Sequence, residues 1–133
     1  MKRTRSVCPF CGCGCSFYIL SDGDRAVGIE PSPENPVNKG MLCVKGWNAH
    51  EFIHSPERLT TPLIRKQGEL VEASWDEALN LVANKLMDAH KKYGPRALGF
   101  LSSAKVSNEE NYLMMKLARA VFKTNNVDHC ARL

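Results

Sequence analysis

The sequence predicts an α+β protein, in which a small β-rich domain at residues 1–62 precedes an incomplete α/β domain at residues 63–133. Two observations support this prediction. The first 62 residues hold five of the six cysteines and short β-branched runs around a turn. The later residues hold two helix-start signals on either side of one apolar run. The order helix, strand, helix is typical of a protein built on a parallel sheet.

The first predicted element is a β-hairpin. Ser16–Leu20 is a β-branched and aromatic run, and Arg25–Glu30 is a second extended segment. Between them, Ser21–Asp24 contains the Asp-Gly pair that is typical of a tight turn. Three prolines in Pro31–Asn38 then predict an irregular surface loop. The hairpin folds the chain back, so we expect Cys43 to approach the cysteines that precede the hairpin.

Two helices and one strand are predicted in the second domain. Residues 74–77, Ser-Trp-Asp-Glu, form a capping box, and apolar residues follow at helical spacing until Gly94-Pro95. Residues 97–101 are a continuous apolar run, typical of a buried strand. A second capping box at residues 107–110 opens a helix to about Phe122. A single core strand leaves its edges unpaired, so we expect this domain to be incomplete within 133 residues.

Composition limits the classes of function. The net charge of +4 is modest, and basic residues crowd only the N-terminus, at Lys2, Arg3 and Arg5. We therefore expect no nucleic-acid partner. No apolar run approaches the length of a membrane span or follows the basic residues as in a signal peptide, which predicts a cytoplasmic protein without a membrane segment. In that reducing compartment, clustered cysteines are more typical of metal ligands than of disulfides.

The spacing of the cysteines indicates a metal centre. Cys8, Cys11, Cys15 and Cys43 read C-x2-C-x3-C-x27-C, and thiolates bind both iron–sulfur clusters and zinc. The spacing differs from that of a two-cluster ferredoxin, and Cys43 lacks the second cysteine of a zinc knuckle. A [4Fe-4S] cluster is therefore favoured, while zinc and redox or structural thiols remain alternatives. We expect Cys13 to be a thiol beside the site and not a ligand.

These residues carry a resemblance to a known family. Residues 8–15, CPFCGCGC, and residues 40–46, GMLCVKG, resemble the cluster domain of molybdopterin oxidoreductases that use two pterin guanine dinucleotides. They resemble most of all the catalytic subunit of cytoplasmic formate dehydrogenase. The similarity extends through residues 74–79, 108–112 and 125–133, so it covers essentially the whole chain.

The resemblance implies roles for individual residues. It implies that Lys45 relays electrons between the cluster and the pterin. It places Ser103 and Lys105 in a loop that approaches the pterin, although a serine there could also cap the following helix. Cys130 matches a cysteine that is not a metal ligand, and we expect it to be buried. The ligands that the resemblance implies for the [4Fe-4S] cluster are Cys8, Cys11, Cys15 and Cys43.

The resemblance also implies what the complete enzyme contains. It would hold molybdenum or tungsten with two pterin guanine dinucleotides, and it would interconvert formate and carbon dioxide with release of two electrons. The family places a selenocysteine or cysteine metal ligand at position 134. Because UGA encodes selenocysteine and otherwise stops translation, we expect selenocysteine there, and we expect this chain to be inactive alone.

The implied partners are the remainder of the catalytic subunit and an iron–sulfur electron-transfer subunit or a ferredoxin. Three alternatives remain open. The first is a nitrate reductase of the same superfamily, which shares the cysteine spacing and the lysine. The second is a free-standing iron–sulfur electron-transfer protein, and the third is a zinc-dependent interaction module.

Overall fold

The computed structural model describes residues 1–130, which form two compact units. The first unit contains residues 1–58, 101–115 and 128–130. The second unit contains residues 59–100 and 116–127. The α+β class and the β-rich N-terminal region are confirmed. The domain boundary after residue 62 stays a prediction.

A three-stranded antiparallel sheet forms the N-terminal part of the first unit. Its strands, in spatial order, are β1 (Lys2–Val7), β2 (Ser16–Asp22) and β3 (Arg25–Pro31). The β2–β3 hairpin was predicted, and Gly23 takes the left-handed backbone conformation that its tight turn needs (φ 55°). Strand β1 was not predicted, because its polar and basic residues give no alternating apolar signal.

The small core of this unit lies beside the cysteines. Cys8, Phe17 and Ala49 are buried, and five partly buried residues pack against them. These five residues are Phe10, Cys15, Ile19, Ile29 and Leu42. Two short helical segments complete this region, the α-helix α1 (Val44–Trp47) and a 3-10 turn at Glu51–His54. Two of the predicted ligands therefore belong to the same packed cluster as the sheet.

The second unit begins with a hairpin that the sequence analysis missed. Strands β4 (Leu63–Lys66) and β5 (Glu69–Glu72) pair antiparallel across a two-residue turn. The turn residues Gln67 and Gly68 both have positive φ angles, 51° and 94°. This turn type usually contains Asn or Asp at its first position, so the glutamine concealed it.

Helix α2 (Trp75–Tyr93) agrees with the prediction at both ends. The backbone N–H of Glu77 donates to Ser74 Oγ at 3.1 Å, and Gly94 follows the last turn with φ 79°. Most of its large apolar residues are exposed within residues 1–130. The exposed fractions of Trp75, Leu79 and Val82 are 65%, 59% and 55%.

The strand predicted at residues 97–101 is shorter and begins later. Residues Pro95–Ala97 form a 3-10 turn after the helix, and strand β6 spans only Phe100–Ser102. It is not isolated, since β7 (Val127–His129) pairs with it and the N–H of Phe100 donates to the carbonyl oxygen of Asn126 at 2.9 Å. The prediction of a lone core strand was therefore wrong.

Helix α3 (Asn108–Lys116) begins at the predicted capping box and continues as a π-helical turn at Leu117–Val121. The N–H of Ser107 donates to Glu110 Oε2 at 2.7 Å, and the N–H of Glu110 donates to Ser107 Oγ at 3.3 Å. None of the helices within residues 1–130 has the length and apolar content needed to cross a membrane.

Candidate metal centre

Three of the four predicted ligands lie in the loop between β1 and β2. The N–H of Cys8 donates to the carbonyl oxygen of Cys15 at 2.8 Å, which continues the strand pairing into the loop and closes it. Cys8 is buried, Cys11 and Cys15 are partly buried, and Cys13 is exposed. The backbone thus holds the two ends of the loop next to each other, with the remaining thiols between them.

The fourth thiol, Cys43, occupies the N-cap position of helix α1. Its pKa lies below the usual value, because the nearby backbone N–H groups of Gly46 and then Lys45 stabilise the thiolate, and the Lys45 charge adds a smaller effect. The Cys43 side chain makes no capping hydrogen bond to the helix. Donors aimed at a sulfur stabilise the thiolate, the form in which cysteine binds metals. The first turn of α1 therefore prepares Cys43 as a ligand.

The other thiols interact with one another. Burial raises the pKa of Cys8, and the charges of Cys11 and Cys43 raise it further. Burial also raises the pKa of Cys15 to about 11, together with a hydrogen bond from its thiol to Cys13. These thiols are thus close enough that ionising one opposes ionising the next. A bound cation reverses this effect, since a coordinating thiol loses its proton.

The predicted ligands do not converge on a single point. Within residues 1–130, no three side chains of His, Cys, Asp or Glu lie close enough together to hold one metal ion. Electrostatic effects link Cys8 to Cys11 and Cys43, and they link Cys15 to Cys8 and Cys11.

Asn38 joins the two cysteine segments, and the sequence analysis did not find it. Its buried amide oxygen accepts from the N–H of Ser16 at 3.0 Å. Its amide nitrogen donates to the carbonyl oxygens of Ser16 and Met41, at 3.1 and 2.9 Å. Asn38 thus ties the residue after Cys15 to the segment that leads to Cys43. An asparagine in a proline-rich loop gives no sequence signal for such a role.

Lys45 lines a cleft of about 530 Å³ beside the cysteines. Phe10 and Phe52 form an apolar part of the lining, with ring centroids 5.9 Å apart, and Glu51 adds a carboxylate. The Lys45 charge lowers the pKa of both Cys8 and Cys43. The Lys45 charge therefore acts on two of the predicted ligands, and its role as a relay stays a prediction.

The N-terminus of α3 contacts the cysteine loop. Asn108 Nδ2 donates to the carbonyl oxygen of Gly12 at 2.8 Å. A Cβ atom at Gly12 would lie 2.4 Å from Asn108 Oδ1, so only glycine fits beneath the amide as it stands. Because Gly12 has no conformational requirement of its own, this contact accounts for the glycine. The start of α3 was expected from the capping box, but the contact with Gly12 was not.

Ser103 and Lys105 share an exposed loop after β6. Ser103 Oγ accepts from the N–H of Lys105 at 3.0 Å and lies 3.4 Å from Cys130 Sγ. The N–H of Ala104 also donates to Cys130 Sγ at 3.4 Å. These two bonds, with that of Ser103 the stronger, lower the pKa of Cys130.

Cys130 was expected to be buried, and that expectation was wrong. It follows the last residue of β7 and its side chain lies against the exposed 103–105 loop, so solvent reaches it. The helix cap considered for the loop serines is made by Ser107 and not by Ser103. Residues 131–133 of the matching C-terminal segment lie outside the described residues.

Comparisons with known proteins identify both parts of the chain. Residues 1–55 match the family described as "Molybdopterin oxidoreductase Fe4S4 domain", and residues 58–133 match "Molybdopterin oxidoreductase". Among curated proteins, the F420-dependent formate dehydrogenase 1 subunit alpha of Methanococcus maripaludis is 54% identical over 128 residues. This match covers 96% of the chain and 18% of the relative. The F420-dependent formate dehydrogenase 2 subunit alpha of the same organism is 48% identical, over 99% of the chain and 19% of the relative.

Among solved structures, acetylene hydratase from Pelobacter acetylenicus superimposes with a TM-score of 0.57 at 29% identity. It matches 74% of this chain, which corresponds to 15% of the hydratase. The chain therefore spans less than a fifth of the length of each of these relatives. Its two regions follow each other in the order of the two family domains, and the chain belongs to the molybdopterin oxidoreductases, whose members carry a [4Fe-4S] cluster and a molybdenum or tungsten pterin cofactor.

Proposed function

We propose that the chain is the N-terminal part of a formate dehydrogenase catalytic subunit, which interconverts formate and carbon dioxide. The observation that carries this proposal is the 54% identity to a formate dehydrogenase alpha subunit across 96% of the chain. In the complete enzyme the pterin-bound metal supplies the two-electron chemistry. Residues 1–130 would contain the cluster that receives these electrons after they leave the metal.

Cys8, Cys11, Cys15 and Cys43 are the proposed cluster ligands. The donor set supports this role, because thiolate is the ligand that iron–sulfur clusters require. In a four-iron cube each cysteine binds a different iron atom, so the four sulfurs need not meet at one point. The N–H groups of Gly46 and Lys45 that lower the pKa of Cys43 would also stabilise the negative charge of a reduced cluster.

Lys45 is the proposed relay between the cluster and the pterin. Its charge acts on Cys8 and Cys43, and a positive charge near a cluster makes reduction more favourable. Lys45 also lines an open cleft, so its ammonium group would be able to donate to an acceptor beside the cluster. Ser103 and Lys105 offer a hydroxyl and an ammonium group on one exposed loop, which suits contacts to the oxygen-rich pterin dinucleotide.

The proposed partners are the rest of the catalytic subunit and an iron–sulfur subunit or ferredoxin that accepts electrons. The exposed apolar residues of α2 are a suitable surface for the rest of the subunit. The proposed location is the cytoplasm, which agrees with the six free cysteines. The selenocysteine at position 134 and the inactivity of the isolated chain stay predictions.

Anaerobic reconstitution with iron and sulfide tests the proposed centre. We expect four iron atoms per chain and an electron paramagnetic resonance signal after reduction with dithionite. Serine in place of any one of the four proposed ligands should abolish that signal, whereas Cys130→Ser should leave it intact. Zinc bound after anaerobic purification, with no iron incorporated, would contradict the proposal.

The substrate is tested with the complete subunit. Expression of the whole gene followed by assays with formate and an artificial electron acceptor should give activity. Reduction of nitrate without oxidation of formate would instead assign the chain to the nitrate reductases of the same superfamily.

A further inference from the structure

The cysteine loop contains a fifth thiol that the cluster does not need. Cys13 is exposed and lies two residues before Cys15, whose thiol donates to the Cys13 sulfur at an Sγ–Sγ distance of 3.6 Å. Cys8, Cys11, Cys15 and Cys43 already supply one thiolate for each iron of a cube. Cys13 is therefore free for other chemistry, and its nearest sulfur belongs to a proposed ligand.

We propose that Cys13 and Cys15 form a reversible disulfide in the cluster-free protein, and that this bond blocks cluster insertion by withdrawing Cys15. The proposal rests on the assignment of Cys15 as a cluster ligand. Its oxidant is a low-molecular-weight disulfide of the glutathione class.

The geometry favours bond formation between this pair. A disulfide is ~2.05 Å long, so the two sulfurs must approach by about 1.6 Å. The intervening Gly14 has φ 76°, a turn conformation, and no atom lies within 4 Å of the position that a Cβ would take there. Gly12, by contrast, is held against Asn108. The loop is thus anchored before Cys13 and open between the two cysteines, where the backbone must adjust.

The exposure of the two thiols sets the order of the exchange. Cys13, the exposed thiol, loses its proton and attacks one sulfur of glutathione disulfide, which releases one glutathione. Cys15 then attacks the Cys13 sulfur of the mixed disulfide, which releases the second glutathione. Two electrons pass from the two thiols to glutathione disulfide, and the two protons end on the two glutathione molecules. A dithiol reductant reverses both steps.

The disulfide would withdraw Cys15 only before the cluster is assembled. Once Cys15 binds iron, its sulfur is no longer available to resolve a mixed disulfide. The pair would therefore respond to oxidation only while the site is empty, and reduction would return all four ligands.

Peptide mapping of the cluster-free chain tests the disulfide. The chain is incubated anaerobically with glutathione disulfide, alkylated and digested with trypsin, which releases residues 6–25 as one peptide. We expect alkyl groups on Cys8 and Cys11 only, with fragment ions that place the missing two hydrogens at Cys13 and Cys15. Alkylation of both Cys13 and Cys15, or a disulfide that joins Cys13 to another cysteine, would overturn the proposal.

Iron incorporation tests the consequence. After glutathione disulfide treatment, the wild-type chain should lose its ability to take up iron and should regain it with dithiothreitol. After the same treatment, the Cys13→Ser chain should take up iron without dithiothreitol, since it cannot form the disulfide with Cys15. Equal uptake by the treated wild-type and Cys13→Ser chains would overturn the proposal. If the untreated, fully reduced wild-type chain takes up no iron, the cluster assignment itself fails, whereas the peptide map still reports on the disulfide.

Discussion

The side-chain amide of Asn108 donates a 2.8 Å hydrogen bond to the carbonyl oxygen of Gly12, which lies 96 residues earlier in the sequence. The cysteine loop and the first turn of α3 are thereby joined within one unit. Both Gly12 and Asn108 are needed, because a side chain at position 12 would displace the amide. This contact links the loop of the proposed cluster to the region matched by the pterin domain.

Asn108→Ala should lower the free energy of unfolding by about 0.5 to 1 kcal/mol, because an exposed hydrogen bond is lost. Gly12→Ala should cost a similar amount, since its Cβ forces the amide of Asn108 to rotate. The double variant should be only slightly less stable than either single variant, because both remove the same bond. Thermal melting of the cluster-loaded protein measures all three. Additive losses would show that the two residues act separately.

The sequence predicted the parts of this unit that depend on local signals. The β2–β3 hairpin and the start of α3 follow from a turn pair and a capping box, each of which acts within a few residues. The roles of Asn38 and Gly12 depend on partners far along the chain, so no local pattern reveals them. Strand β1 was missed for a related reason: its polar residues form a strand because β2 pairs with them.

Lys45→Met should lower the reduction potential of the cluster by on the order of 50 mV, because a positive charge that favours the reduced state is removed. Lys45→Arg retains the charge and should restore most of the potential. A redox titration followed by electron paramagnetic resonance measures both. Since Lys45 is not a ligand, the iron content of both variants should match that of the wild type. An unchanged potential in Lys45→Met would remove the electrostatic basis for its proposed role.

Tyr18→Phe should raise the pKa of Glu34. The Tyr18 hydroxyl donates to the Glu34 carboxylate. This bond, with smaller effects of the Glu34 backbone N–H and the Ser32 side chain, lowers the pKa of Glu34 from 4.5 to about 2. Because the pKa is lower in the folded chain, the bond stabilises the fold above pH 4.5, and this contribution is lost as the pH falls towards 2. A carboxyl-detected NMR titration gives the value directly. The carboxyl of Glu109, whose pKa is lowered mainly by its own backbone N–H, provides the internal reference and should not change.

Gly46→Ala should make the cluster more labile without removing a ligand. A Cβ at this buried position would lie 3.2 Å from Leu42 Cδ2, so Leu42 or α1 must move. Either movement disturbs the N–H groups that lower the pKa of Cys43. We expect faster loss of iron to a chelator than in the wild type. Gly28→Ala, where the Cβ meets Leu20 at an ordinary 3.7 Å, is the matched control and should keep the wild-type rate.

Asn38→Ala should cause the largest loss of stability among these variants. It removes three hydrogen bonds from a buried amide, two to the backbone of Ser16 and one to Met41, at about 1 kcal/mol each. Because these bonds tie the start of β2 to the segment before Cys43, iron uptake should fall together with stability. Asn48→Ala is the control, since that exposed amide makes a single bond to Val44 and its loss should cost about 0.5 kcal/mol. Denaturant unfolding and iron analysis of the same samples measure both effects. If Asn38→Ala loses stability but takes up iron normally, Asn38 supports the fold alone and does not position the cysteines.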